Sequence, residues 1–105
     1  MEKPNLSYIE SMSGGDKAFE QKLLDIIQKE FPEEKQVYFN NIEANKYKEA
    51  AENVHKLKHK ISILGLVKSY DVAVNYEYNL IENSTEGKIE FESILQNITD
   101  FLETL

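Results

Sequence analysis

The chain has 105 residues, a net charge of −7, 41 % hydrophobic content and no cysteine, which is the size and composition of a single globular domain over residues 1–105. The lack of cysteine excludes disulfides, thiolate nucleophiles and cysteine-ligated zinc, so we expect a cytoplasmic protein. Its apolar runs are far shorter than the roughly 20 residues that cross a membrane. Because an acidic chain is also poorly suited to phosphate backbones, we expect neither membrane nor nucleic-acid partners.

Apolar residues recur every three or four positions in the first half of the chain, which is typical of amphipathic helices. A short helix is predicted over residues 5–11, ended by the glycines at 14 and 15. Asp16 is the predicted N-cap of a long second helix, because a carboxylate there accepts hydrogen bonds from free backbone N–H groups. Pro32 lies inside the second apolar stripe and predicts a kink or a break after Phe31.

The second half of the chain contains three further predicted helices. Asn45 is the predicted N-cap of a helix that runs to about Leu64, where Gly65 ends it. A fourth helix follows over residues 66–82, and a loop over residues 83–87 leads to a strongly amphipathic closing helix. Helices with one apolar face and short connections bury these faces only against each other. We therefore predict an all-α fold, an antiparallel four-helix bundle with a short extra N-terminal helix.

The only two histidines, His55 and His59, are one turn apart on the third predicted helix and share a face. Val54 and Leu57 belong to the apolar stripe of that helix, which places His55 toward its solvent side. Six lysines and two glutamates occur between residues 46 and 68. This basic stretch in an acidic chain favours an anionic ligand near the histidines.

Three interpretations of the histidine pair are open. The first is an ordinary solvated helix face. The second is an i, i+4 metal pair, but Lys56 and Lys58 repel a divalent cation and no Glu-x-x-His spacing indicates a di-iron bundle, so no metal is expected. The third is a phosphoryl acceptor: repulsion from the lysines favours a neutral, nucleophilic imidazole at His55, and the Lys58 ammonium would then neutralise the phosphoryl group.

Residues 55–65, His-Lys-Leu-Lys-His-Lys-Ile-Ser-Ile-Leu-Gly, resemble the phosphorylation motif of histidine-containing phosphotransfer (HPt) domains, H-x-L-K-G followed by small residues and L-G. The resemblance covers nearly the whole chain, including the order of the helices and an acid at Glu77. At His59 the family usually has glycine, which is thought to leave room for a partner. The positions that match the motif are His55, Leu57, Lys58, Leu64 and Gly65.

The resemblance implies a monomeric phosphorelay carrier, in which His55 accepts a phosphoryl group from an aspartyl phosphate of one receiver domain and passes it to another. It implies no kinase activity and no bound cofactor, with Mg²⁺ held by the receiver. Lys58 then stabilises the phosphoryl charge, Gly65 lets the motif helix end and pack closely, and His59 either narrows access or hydrogen-bonds the phosphoryl group. The alternative is an HPt-like adaptor that binds a receiver or signalling protein without carrying phosphate.

Docking of a receiver needs an apolar patch beside the phosphoacceptor. The resemblance implies that this patch comes from the first helix, and Lys56 and Ser62 lie near enough on the motif helix to touch a partner. A second apolar set on the long helix has the spacing more often found in a core. The predicted docking residues are Leu6, Ile9 and Met12, and the predicted core residues next to them are Phe19, Leu23 and Ile27.

Overall fold

The computed structural model describes residues 2–105, which form five α-helices and, within that range, no strand. The prediction of an all-α bundle with a short N-terminal helix is confirmed. None of the helices in these residues is both long and apolar enough to cross a membrane. The helices are α1 (Ser7–Ser13), α2 (Lys17–Glu43), α3 (Tyr47–Ile63), α4 (Val67–Ile81) and α5 (Lys88–Glu103).

The long helices are antiparallel to their neighbours. Lys60, near the end of α3, pairs with Glu34 of α2, whereas Asn53, further back on α3, bonds to Asn41, further along α2. The core is formed by one apolar face from each helix, because these faces have no other apolar surface to pack against. Its fully buried members include Ile9, Phe31, Leu57, Ile61, Leu80, Phe91, Leu95 and Ile98.

Helix α2 is one uninterrupted helix of 27 residues. The Asp16 carboxylate accepts hydrogen bonds from the N–H groups of Ala18 and Phe19 at 3.0 and 3.1 Å, which confirms the predicted N-cap. The helix does not break at Pro32. Side chains on both sides of the proline bind α5, since Gln28 donates to the Leu102 carbonyl and Lys35 donates to the Thr99 hydroxyl, at 3.3 and 2.8 Å.

The connection between α2 and α3 corrects one prediction. Asn45 is not the N-cap of α3; it adopts a left-handed conformation with φ of 59° and ends α2. The N–H of Asn45 donates to the Ile42 carbonyl, and the N–H of Lys46 donates to the Asn41 carbonyl. Asparagine tolerates this conformation better than most residues, and the two bonds satisfy carbonyl groups left free at the helix end.

The segment before α1 forms a strap over one end of the bundle. The Glu2 carboxylate accepts hydrogen bonds from the N–H groups of Lys68 and Ser69, at 2.9 and 2.8 Å, and so caps the first turn of α4. Asn97 of α5 donates to the Glu2 carbonyl at 2.8 Å. The hydrogen bonds from the backbone N–H groups of Lys68 and Ser69 lower the pKa of the Glu2 carboxyl. The Asn5 N–H donates to the Leu64 carbonyl at 2.9 Å, so α1 begins where α3 ends.

Candidate functional site

His55 and Glu77 meet across the edge between α3 and α4. The His55 side chain is 54 % exposed, and its Nδ1 atom lies 3.1 Å from Oε2 of Glu77, which is only 19 % exposed. The two residues are 22 positions apart in the chain. Glu77, a mostly buried residue of α4, thus fixes the orientation of the exposed His55 ring on α3.

This contact determines the tautomer of the neutral imidazole. An ionised carboxylate only accepts hydrogen bonds, so the proton of His55 is on Nδ1, which donates to Glu77. The lone pair is then on Nε2, the other ring nitrogen. The arrangement therefore presents His55 as a nucleophile through Nε2, on a ring that is more than half exposed.

Lys58 shares the same carboxylate. Its Nζ lies 3.0 Å from Oε1 of Glu77 and 5.8 Å from the centroid of the Tyr70 ring, and its side chain is 13 % exposed. Oε1 is buried, and Lys58 is the cation that faces it, at ion-pair distance. We call His55, Glu77 and Lys58 the Glu77 cluster.

His59 lies against His55. The two ring centroids are 5.1 Å apart with perpendicular planes, as the one-turn spacing on α3 predicts. His59 is exposed, and among residues 2–105 it is in no hydrogen bond or ion pair with another side chain. The structure thus gives an acidic partner to His55 and not to His59, which separates two histidines that the sequence alone treats as similar.

The four lysines of the basic stretch that lie on α3 fall into two groups. Lys58 is bound to Glu77, and Lys60, 12 % exposed, pairs with Glu30 and Glu34 of α2, each at 3.1 Å. Lys48 and Lys56 are exposed on the outer face of α3. The free positive charge around His55 is therefore smaller than the count of lysines indicates, because α2 and α4 neutralise part of it.

A depression of about 590 Å³ lies beside His55 between α3 and α4. Ala51, which is buried, and Ile81, which is 54 % exposed, are its apolar residues. We call this depression the α3–α4 groove. It is lined by Lys48, Ala51, Glu52, His55, Lys56, Glu77 and Ile81.

The structure places the predicted docking residues of α1 differently from one another. Ile9 is fully buried, so the prediction that its side chain contacts a partner is wrong; it anchors α1 to the core. Leu6 is half-buried against the core, and Met12 is 45 % exposed. Of the residues predicted to belong to the core, Ile27 is buried, Leu23 is partly buried and Phe19 is 41 % exposed.

The other predicted site residues lie on α3 or at its end. Lys56 and Ser62 are exposed. Gly65 follows the end of α3 with φ of 77°, and a Cβ atom there would lie 2.5 Å from Nδ2 of Asn5. The backbone conformation disfavours a side chain at position 65, and the Asn5 side chain would have to move to make room for one, which agrees with a glycine that ends the helix and permits close packing.

From the sequence alone, Glu77 is only an acid at one position of the resemblance, with no contact assigned to it. The available signal is its place on α4, seven residues after Tyr70, which puts both on the side of α4 that faces Lys58. Comparisons of the chain with protein-family models, curated proteins and solved structures find no match.

Proposed function

We propose that the protein is a phosphorelay carrier, which accepts a phosphoryl group on Nε2 of His55 from an aspartyl phosphate of a receiver domain and passes it to another receiver. The observation that carries this proposal is the 3.1 Å contact between His55 Nδ1 and the Glu77 carboxylate. A second observation is the exposure of the ring, since a partner's phosphoryl group must approach Nε2 from outside.

The transfer step balances with the groups at hand. The Nε2 lone pair attacks phosphorus, and the bond between phosphorus and the aspartyl oxygen breaks, leaving its electron pair on the aspartate carboxylate. Nδ1 keeps its proton, so the phosphorylated ring carries a positive charge. The Glu77 carboxylate faces that charge as it develops, which is stabilisation of the transition state by a preorganised ion. The reverse step, toward a second receiver, uses the same contact.

Lys58 is suited to the phosphoryl group that results. Its ammonium is one turn from His55 and is held beside it by the 3.0 Å ion pair with Glu77 Oε1. Charge-assisted hydrogen bonds from an ammonium to phosphoryl oxygens are among the stronger polar contacts in proteins. Mg²⁺ would be supplied on the receiver, and a carrier of this kind works as a monomer in the cytoplasm beside its receivers.

A second candidate function is an HPt-like adaptor that binds a receiver or signalling protein and carries no phosphate. The observation that favours it is the His59 ring, which stands 5.1 Å from the His55 ring on the exposed face. A side chain there takes up space that a transferring partner needs. The two functions differ in one property, which is whether His55 becomes labelled.

The test uses two phosphoryl donors. The purified chain is incubated with a panel of phosphorylated receiver domains and Mg²⁺, and separately with phosphoramidate, a small donor that needs no docking. We expect an acid-labile, alkali-stable gain of one phosphoryl group in the wild type and none in His55→Gln. The matched control is His59→Gln. It should still be labelled, because it keeps His55 and its contact with Glu77, whereas His59 has no acidic partner.

Two results would contradict the proposal. Labelling of His55→Gln would show that another residue is the acceptor. An unlabelled wild type with every receiver and with phosphoramidate would exclude a carrier, and measurable receiver binding in that case would identify the adaptor.

A further inference from the structure

The exposed apolar side chains of the chain fall largely into two patches. The α4 patch consists of Val74, Tyr78 and Ile81, which are 40 %, 63 % and 54 % exposed. The hairpin patch lies on α1 and the first half of α2. It consists of Tyr8, Met12, Phe19 and Ile26, which are between 41 % and 54 % exposed.

The α4 patch borders the Glu77 cluster. Ile81, Val74 and Tyr78 lie about 40°, 60° and 100° around the α4 axis from Glu77, all in the same direction, so they form a strip along its solvent-side flank. Glu77 contacts His55, and Ile81 lines the α3–α4 groove together with His55. The apolar surface nearest to the phosphoacceptor therefore belongs to α4.

The hairpin patch lies further along the bundle. His55 is nine residues, about 13 Å, from Leu64 along α3, and the Asn5 N–H bonds to the Leu64 carbonyl. From there α1 leads toward the start of α2. Helix α2 has 27 residues and α3 has 17, so α2 extends beyond α3. The pairing of Lys60 with Glu30 places residues 17–29 of α2 largely past the end of α3.

Resting on the proposed function, we infer that the receiver domain that exchanges phosphoryl groups with His55 docks on the α4 patch and the α3–α4 groove, and not on α1. Transfer needs phosphorus within about 3–3.5 Å of Nε2. An interface of ordinary size covers about 800 Å² of each partner, which is a disc of about 16 Å radius. Centred on His55, such a disc includes the α4 patch, whereas the hairpin patch lies at its rim or outside it.

Charge supports this occupant. Lys48 and Lys56 line the groove on the α3 side and are exposed, with no ion pair to any side chain within residues 2–105, and they outnumber Glu52, the one exposed carboxylate of the lining. A receiver that holds an aspartyl phosphate and a metal-binding carboxylate presents an acidic surface, which complements these lysines. Tyr78, the most exposed residue of the α4 patch, is of the type that most often contributes binding energy at the centre of an interface.

The test compares two chemically matched pairs of substitutions at exposed positions. One variant carries Tyr78→Ala and Ile81→Ala, and the other carries Tyr8→Ala and Ile26→Ala. For each variant the rate of labelling by a phosphorylated receiver is divided by its rate of labelling by phosphoramidate, which removes any effect on His55 itself. We expect this ratio to fall about tenfold or more in the α4 pair and to stay within about twofold of wild type in the hairpin pair. The opposite order, or no change in either pair, would overturn the inference.

A binding measurement separates this inference from the proposed function. Titration of the same receivers, carrying an unreactive phosphoryl mimic, gives their affinity for each variant. If no donor labels the wild type but the α4 pair weakens receiver binding about tenfold, the carrier function fails and the docking surface stands. If wild-type binding is absent or the α4 pair leaves it unchanged, the docking surface is wrong.

Discussion

The centre of the bundle and its α3–α4 edge each contain a carboxylate hydrogen-bonded to an aromatic side chain. The aromatic side chain is buried in the centre and exposed at the edge. In the centre, the Tyr38 hydroxyl donates to Glu92 at 2.9 Å and lies 2.6 Å from the Tyr76 hydroxyl. At the edge, His55 donates to Glu77 at 3.1 Å. The two networks start from consecutive residues of α4, because Tyr76 points into the core and Glu77 points toward α3.

The central network is closed. Tyr38 and Tyr76 are fully buried, and each hydroxyl has its partner within the network. Burial raises the pKa of Tyr38 far above its usual value and, together with the nearby Glu92 charge, raises the pKa of Tyr76 to about 12. The edge network is open, since Nε2 of His55 keeps a lone pair on an exposed ring. Similar polar pairs therefore stabilise the fold in one place and offer a reactive atom in the other.

The largest expected contrast comes from removing each carboxylate charge in turn. The proposed carrier function predicts that in Glu77→Gln the rate of phosphoryl transfer to His55 falls about 10- to 100-fold, since the charge that would face the phosphorylated ring is lost. The free energy of unfolding should change by about 1 kcal/mol, because the cluster lies at a partly exposed edge. Single-turnover labelling and urea denaturation measure the two effects.

Glu92→Gln is the matched control for this substitution. It should leave the labelling rate within about twofold of wild type, since Glu92 contacts the buried Tyr38 and not His55. A rate loss in Glu92→Gln equal to that in Glu77→Gln would show that both carboxylates act through stability alone.

The next effect tests the closure of the central network. Tyr38→Phe removes the hydroxyl that links Tyr76 to Glu92, and leaves a buried donor and a carboxylate oxygen without their partner. We expect a loss of about 1–3 kcal/mol in the free energy of unfolding. Tyr8→Phe, at a residue that is 54 % exposed, should change it by less than about 0.5 kcal/mol. Equal effects in the two variants would mean that the central hydroxyls contribute nothing specific.

The smallest effect is the response of the same network to alkaline pH. Tyrosine in the unfolded chain loses its proton near pH 10, whereas the pKa of Tyr76 in the folded chain is raised to about 12. Between these values the unfolded state binds fewer protons, so the stabilisation present below pH 10 is lost as pH rises, by about 1 kcal/mol between pH 10 and 11. Urea midpoints at pH 9, 10 and 11 should show this slope in the wild type and a shallower one in Tyr76→Phe. Parallel slopes would exclude Tyr76 as the source.

Local patterns were sufficient to predict the helices, the Asp16 cap and the outward position of His55. They depend on spacing within one segment, and spacing determines which side of a helix a residue takes. Asn45 was misassigned because asparagine suits both an N-cap and a left-handed helix end, and the choice between them depends on how α2 and α3 are joined. Local sequence could not separate these two uses.

Contacts between helices cannot be predicted from these local patterns, for a different reason. The pairing of His55 with Glu77 depends on how far α3 and α4 slide past each other, which no period within a helix records. The same holds for Lys60, whose charge is neutralised by α2 rather than free beside the histidines. The sequence also cannot show that Ile9 is buried, because a two-turn amphipathic helix has the same apolar spacing whether its apolar face packs on its own core or binds another protein.

The strap over the end of the bundle has a consequence for the order in which the fold opens. Glu2 reaches Lys68, Ser69 and Asn97 across 66, 67 and 95 positions of the chain, whereas the hairpins between successive helices close over short connections. Contacts of such long separation are expected late in folding, and they can release without global unfolding. In native-state hydrogen exchange the amides of Lys68 and Ser69 should therefore exchange ahead of those in the middle of α4, and should mark the first part of the bundle to open.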